Sequence, residues 1–191
     1  MKNCHYNDQQ PLSFPQTWHS VPGVKLYPLQ HHDATRLLAL FSDGVCDNLA
    51  IERIHTLKQA QDFVHGDGYA HKVRLGIWHR KHGLVGSVAW GEDTGDSAFI
   101  SYWIAPAFQR QGYGRKAVAQ LIRQLKQQGF HQIMADVYFD NQPSKILLTS
   151  LGFRIEGVLE EYEEKPVLRL TLEDDNPAVR ISEANCQSLL S

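Results

Sequence analysis

The stretch Gln109-Arg110-Gln111-Gly112-Tyr113-Gly114-Arg115 sets two glycines, one residue apart, at the opening of an amphipathic helix. Residues of this kind can bind phosphate. Glycine lets backbone N–H groups approach an anion closely, and the helix behind adds its N-terminal partial positive charge. A P-loop is excluded, because Gly-Lys-Ser/Thr does not follow. A dinucleotide fingerprint, Gly112-x-Gly114-x-x-Ala117, should follow its strand almost immediately and sit early in a βαβ unit. Here Pro106 to Gln111 intervene, and an antiparallel hairpin precedes the strand. Two glycines that only shape a turn are the reading without chemistry.

Strand and helix signals around the loop indicate what positions it. Residues 97–104 read as a strand leading in. Behind the loop, Val118, Leu121, Ile122 and Leu125 recur at helical spacing, with Gly129 where a C-terminal cap belongs. Upstream, residues 24–29 read as a first strand. Asp33 can cap a helix bearing Ala34, Leu37, Leu38 and Phe41, and a second helix starts at Thr56 and stops at Gly66-Asp67-Gly68. Runs at 73–79 and 84–90, joined by Arg80-Lys81-His82-Gly83, predict a hairpin. Downstream, Ile133, Ala135 and Val137 alternate in a strand, and a short helix begins near Pro143 and ends at Gly152. Two last strands, 153–158 and 166–172, flank the acidic run Glu160-Glu161-Tyr162-Glu163-Glu164. The order is strand, two helices, three antiparallel strands, helix, strand, helix, two strands. It predicts an α/β fold on a mixed sheet.

Composition narrows the function classes. At 191 residues the chain suits one domain, with residues 1–20 as an N-terminal extension and 174–191 as a polar tail. A formal net charge of -2 argues against an electrostatic nucleic-acid binder. No apolar run approaches the roughly 20 residues of a membrane span, and the N-terminus lacks the apolar core of a signal peptide. Cys4, Cys46 and Cys186 are too few and too scattered for a disulfide framework, so a reducing cytoplasm is expected. Among ten histidines, His31-His32 and His79 with His82 have no accompanying Cys/His cluster, so no metal is expected.

Four segments resemble, in order, the GNAT superfamily of N-acetyltransferases and its RimJ/RimL-type branch. Tyr102-Trp103-Ile104-Ala105-Pro106 resembles the Y-W-I/L-x-P strand end, and 109–115 the Q/R-x-x-G-x-G/A coenzyme A loop. Asn141-Gln142-Pro143-Ser144 is similar to the branch's N-x-x-S. Leu151-Gly152-Phe153 with Glu156 and Gly157 resembles its L-G-F-x-x-E-G ending. The resemblance spans roughly residues 24–172. It implies a GNAT domain over 21–173, with a mixed, mostly antiparallel twisted sheet flanked by helices, and acetyl-CoA as cosubstrate.

Acetyl transfer to an amine needs a neutral nucleophile, a stabilised oxyanion and a proton or hydrogen bond for the departing thiolate. The resemblance implies that backbone amides of Gln111, Gly112, Gly114 and Arg115 hold the pyrophosphate, within a cofactor loop that includes Gln109 and Tyr113. It implies that Tyr102, Trp103 and Ile104 align the pantetheine arm, and that Asn141 hydrogen-bonds it; an ordinary helix cap is the alternative for Asn141. Many family members place a tyrosine one turn after the Ser144 position as thiolate proton donor. Leu148 stands there, which leaves Ser144 as the nearest hydroxyl. The branch often carries a glutamate in the fourth strand, two residues before the Gly of G-Y-W. Here Phe99 and Ser101 occupy those positions, and Glu92 is taken as the candidate base, with Asp96, Asp136 or a water chain as alternatives. No Cys or Ser placed beside a base suggests an acyl-enzyme, so direct transfer in a ternary complex is expected. The expected acceptor is a primary amine, a protein or peptide N-terminus, drawn by the carboxylates of 160–164. A small-molecule acceptor (polyamine, amino sugar or antibiotic) and a non-catalytic coenzyme A-binding module are the alternatives. No nucleic-acid or membrane partner is expected, and a monomer or homodimer is.

Overall fold

The computed structural model describes residues 23–66, 73–159 and 165–173. The elements in chain order are β1 (Lys25–Pro28), α1 (Ala34–Leu40), α2 (Asp43–Leu49), α3 (Leu57–His65), β2 (Val73–His79), β3 (Gly83–Glu92) and β4 (Ser97–Ile104). Then come α4 (Tyr113–Gln127), β5 (Gln132–Tyr138), α5 (Gln142–Thr149), β6 (Arg154–Leu159) and β7 (Val167–Glu173). The seven strands form one sheet in the order β1-β2-β3-β4-β5-β7-β6. Every pairing is antiparallel except β4 with β5. That parallel pair is joined through α4, because parallel neighbours need a crossover of about a dozen residues or more.

Both sheet faces are covered. Helix α4 turns Ala117, Val118, Leu121, Ile122 and Leu125 onto one face, where they join Leu75, Val88, Ile100, Ile133 and Leu170 in the largest core cluster. Leu121 and Leu125 are each 1% exposed, and burying each contributes roughly 1.5–3 kcal/mol. Helices α1 to α3 cover the opposite face, with Leu37, Val45 and Leu84 around Trp103, which stacks on Phe41 at 4.5 Å between ring centroids.

Among the described residues three α-helices, not two, separate β1 from β2. Helix α2 was not anticipated. Its sequence, Asp43-Gly44-Val45-Cys46-Asp47-Asn48-Leu49, carries residues of poor helix propensity. Ser42 caps it by accepting from the Val45 N–H, and Val45 and Cys46 are buried against its neighbours. Asp33 stands at the start of α1 as expected, but its carboxylate accepts from the Gln30 N–H (2.8 Å) in the preceding 3-10 turn instead of capping α1. Thr56 and Gln59 form a full capping box at α3, which ends at Gly66.

Candidate active site

Strands β4 and β5 pair over only three rungs, Ser97 to Phe99 against Gln132 to Met134. Beyond them β4 continues to Ile104 and β5 to Tyr138, each bonded only on its other side, to β3 and β7. The strands therefore part, and a cavity of about 780 Å³ fills the gap. Ile100, Tyr102, Ile104, Ala135 and Val137 line it from the face that carries α4 and α5. Ser87, Ala89, Ser101 and Asp136 line it from the face that carries α1 to α3. The cavity thus passes through the sheet, and two molecules can enter from opposite faces and meet at the gap. Backbone N–H and C=O groups on the parted edge of β4 lack a sheet partner, so an extended, amide-bearing arm can pair with them.

On the α4 side the cavity ends at the glycine loop. Arg110 (φ +60) and Gly112 (φ +79) both sit in the left-handed region, and the chain turns there directly into α4. The Gly112 carbonyl takes the Lys116 N–H at 3.1 Å, so the amides of residues 112–115 have no intrahelical acceptor, and among the described residues no side chain caps them. A Cβ at Gly112 would meet nothing within 4 Å. The space over these donors is open, and a pyrophosphate fits it in size and charge. Side-chain bonds pin the loop from behind: Gln109 Nε2 donates to the Ile104 carbonyl (3.0 Å) and Gln111 Nε2 to the Ala107 carbonyl (3.2 Å). Gly114 has a different task, since a Cβ there would lie 3.1 Å from Leu147, so it lets α4 approach α5.

Hydroxyls gather where the strands part. Asn141 caps α5, its Oδ1 accepting from the Ser144 N–H at 3.2 Å, and its Nδ2 donates to Asn48 Oδ1 of α2 at 3.2 Å. Asn141 is therefore a helix cap and, through Asn48, a tie across the cavity. Ser144 stands in the first turn of α5 and faces Tyr102. Burial pushes the Tyr102 phenol up from its ordinary 10.0 to about 12. Ser144 offsets part of that rise without completing a bond to the phenol, whose oxygen has no hydrogen-bond partner.

The anticipated cofactor residues come together. Tyr102, Trp103, Ile104, Gln109, Gly112, Tyr113, Gly114, Arg115, Asn141 and Ser144 all line the cavity, while Gln111 faces outward and can contribute only through its backbone. Glu92 is not brought to Ser144. It pairs with Ala98 at the exposed turn end of β3 and lies outside the lining. That is four residues, or about 13 Å, along the sheet from the Tyr102 rung. Asp96 is exposed in the same turn. Asp136 does line the cavity, with both carboxylate oxygens held by Arg169 at 2.9 Å. That bond raises the Arg169 guanidinium above its ordinary value. The acidic run 160–164 falls outside the described residues. His79 and His82 stack on one another with 4.9 Å between centroids, and His79 packs on Tyr113. Among the described residues no group of three or more His, Cys, Asp or Glu could hold a metal.

Sequence reasoning missed Asn48, Tyr138 and Arg74 in the lining. Asn48 was lost with α2. Arg74 had a signal, being the charge in the otherwise apolar run Val73-Arg74-Leu75-Gly76-Ile77-Trp78.

Residues 24–154 match the family profile of the acetyltransferase (GNAT) domain. An uncharacterized N-acetyltransferase, YoaA of Bacillus subtilis strain 168, is 29% identical over 146 residues, covering 72% of this chain and 82% of its own. Among solved structures, spermidine N-acetyltransferase from Vibrio cholerae, in complex with CoA and spermine, superposes with a TM-score of 0.70. It is 20% identical and covers 79% of this chain and 95% of its own. RimL, a ribosomal L7/L12 alpha-N-protein acetyltransferase in complex with coenzyme A, superposes at 0.68 with 18% identity over 81% and 96%.

Proposed function

The chain belongs to the GNAT acetyltransferase family, and from that premise we propose that it transfers the acetyl group of acetyl-CoA to a primary amine at the end of a polypeptide. The observation that carries the reading is the uncapped start of α4, with Gly112 open above its free amides, leading directly into the gap between β4 and β5. A pyrophosphate and an extended arm fit these two features in sequence. Bound acetyl-CoA supplies the acetyl group as an activated thioester.

The chain's residues do the rest by position. Amides of residues 111–115 bind phosphate, and Gly112 keeps the approach open. The parted edge of β4 aligns the arm and presents N–H groups to a developing oxyanion. Tyr102 Oη holds its proton throughout the physiological range, and Ser144 Oγ beside it can donate toward a departing thiolate. No carboxylate of the described lining is free to act as base, since Asp136 is engaged twice by Arg169. The amine proton leaves through water, and the amine arrives neutral. A cytoplasmic setting belongs to the same reading, on the three widely spaced cysteines of the sequence.

A peptide end suits the acceptor mouth. Asn48 and Ala50 are exposed there, Leu49 and Ile51 half-buried, and Ile146 across from them is 66% exposed, which leaves an apolar groove reachable from the surface. The one carboxylate of the described lining, Asp136, is held twice by Arg169, and a polyamine is kept as the alternative acceptor. A thiol-release assay over N-terminal peptides, spermidine and small amines tests this. Amine-dependent release, best with peptides, is expected. Acetyl-CoA binding without amine-dependent release would refute transfer, and a preference for spermidine would refute the peptide end.

A further inference from the structure

On the cofactor side of the gap the hydroxyls of Tyr102 and Ser144 face one another, and burial fixes the direction in which one serves the other. Tyr102 stands on β4 opposite Val88 of β3, on the face that carries α4 and α5, and its ring packs against the largest core cluster. Its phenol oxygen is shut off from water and has no hydrogen-bond partner among the described residues. The polar group that acts on it is the Ser144 hydroxyl, in the first turn of α5. Two other hydroxyls of α5 turn back into the helix. Thr149 Oγ1 donates to the Lys145 carbonyl (2.8 Å) and Ser150 Oγ to the Leu147 carbonyl (2.7 Å). Ser144 makes no such bond among the described residues, and Leu148, one turn on, is fully buried and apolar. Ser144 also lines the cavity, so its hydroxyl stands between a buried phenol and open space.

Each hydroxyl has one proton to give and lone pairs to receive with. If Ser144 donated to Tyr102, the phenol proton would have no acceptor in a dry site, which is the costly arrangement. If Tyr102 donates to Ser144, the phenol is satisfied and the serine proton is left for the cavity. Burial also keeps the phenol a donor, since it loses its proton only near pH 12. The serine hydroxyl rotates to suit its partners, so the bond closes without moving α5.

We infer that Tyr102 is a positioning residue for Ser144: its phenol donates to Ser144 Oγ and so holds the serine O–H toward the sulfur of a bound thioester. This rests on the acetyltransferase reading above and adds a residue to it. As the amine nitrogen bonds to the acetyl carbon, the C–S bond breaks and its electron pair passes to sulfur. Ser144 donates a hydrogen bond to that thiolate, and the bond from Tyr102 strengthens it, because hydrogen bonds in a chain polarise one another. Neither hydroxyl gives up its proton. The proton lost by the amine goes to water, and the thiolate takes one from water as it leaves.

A double-mutant cycle tests this, read as the single-turnover rate of acetyl transfer to the amine that performs best in the thiol-release panel. Tyr102→Phe deletes an oxygen that has no bonded partner, so the packing around the ring is kept. It should slow transfer about 3- to 10-fold, the range for one hydrogen bond, with the coenzyme A Kd within about threefold. In a Ser144→Ala background the same substitution should change the rate by less than about 1.5-fold, because the phenol has nothing left to orient. Ser144→Thr keeps a hydroxyl on α5, and there Tyr102→Phe should again slow transfer. An equal loss in the wild-type and Ser144→Ala backgrounds overturns the inference, since it makes Tyr102 a packing residue. A full rate in either Tyr102→Phe or Ser144→Ala overturns it as well. These outcomes leave acetyl transfer standing, whereas no release by the wild-type protein with any amine defeats the acetyltransferase reading beneath.

Discussion

Replacing Gly112 by valine separates the loop's shape from its chemistry. Gly112 has φ +79, and a Cβ there would touch nothing within 4 Å, so valine brings backbone strain without a clash. A non-glycine residue forced into this region costs about 1–3 kcal/mol. For a chain of this size that lowers Tm by roughly 2–12 °C. The side chain also fills the space over the α4 amides, where a phosphate would accept. Losing one charge-assisted bond there costs about 1.5–3 kcal/mol, or roughly 10- to 150-fold in Kd for coenzyme A. Gly95 supplies the control. It has φ +63, likewise nothing within 4 Å of a Cβ, and lies in the turn between β3 and β4, outside the cavity. Gly95→Val should match Gly112→Val in Tm while binding coenzyme A like wild type. Calorimetric titration at a temperature where both variants are folded gives the two Kd values. A Kd for Gly112→Val within twofold of wild type removes this loop from coenzyme A binding.

Other perturbations probe the gap between the strands. Ser144→Ala should lower kcat about tenfold or more with coenzyme A Kd within threefold, because the hydroxyl matters most as charge develops on sulfur; an unchanged kcat with chemistry rate-limiting passes the role to water or Tyr102. The Tyr102 phenol is raised in the folded state, so its contribution to stability is complete below pH 10 and is lost as pH climbs through about 12. Tyr102→Phe should therefore flatten the fall in Tm between pH 10 and 12, and an identical fall in both proteins contradicts that burial. Glu92→Gln should leave the pH profile of kcat/KM as it is, rising with deprotonation of the acceptor amine; loss of a low-pH limb would make Glu92 the base after all.

Local sequence carried much of the site because its parts are contiguous. The loop's two glycines, the 3.6-residue period of α4 and the Asn141 cap before Pro143 are each set by neighbours within a few residues, so spacing alone reveals them. The hairpins follow from the same short range. Helix α2 was hidden because its propensity is poor and its Ser42 cap stands alone. Burial of Val45 and Cys46 against distant elements holds it, and with it Asn48.

Sequence by itself determined the alternation of strands and helices, the glycine loop that opens α4 and the family resemblance. Tertiary structure decided where charges and hydroxyls meet. Asp136 and Arg169 are 33 residues apart, and the β5–β7 register joins them, neutralising the carboxylate that sequence left among the candidate bases. Sheet order brings Arg74 to a cavity whose other walls come from α2, β4 and α5, and the parting of β4 from β5 places Glu92 at the wrong end. Periodicity is a property of neighbours along the chain. Burial, charge pairing and reach depend on strand order and register, which long-range packing sets and no local pattern encodes.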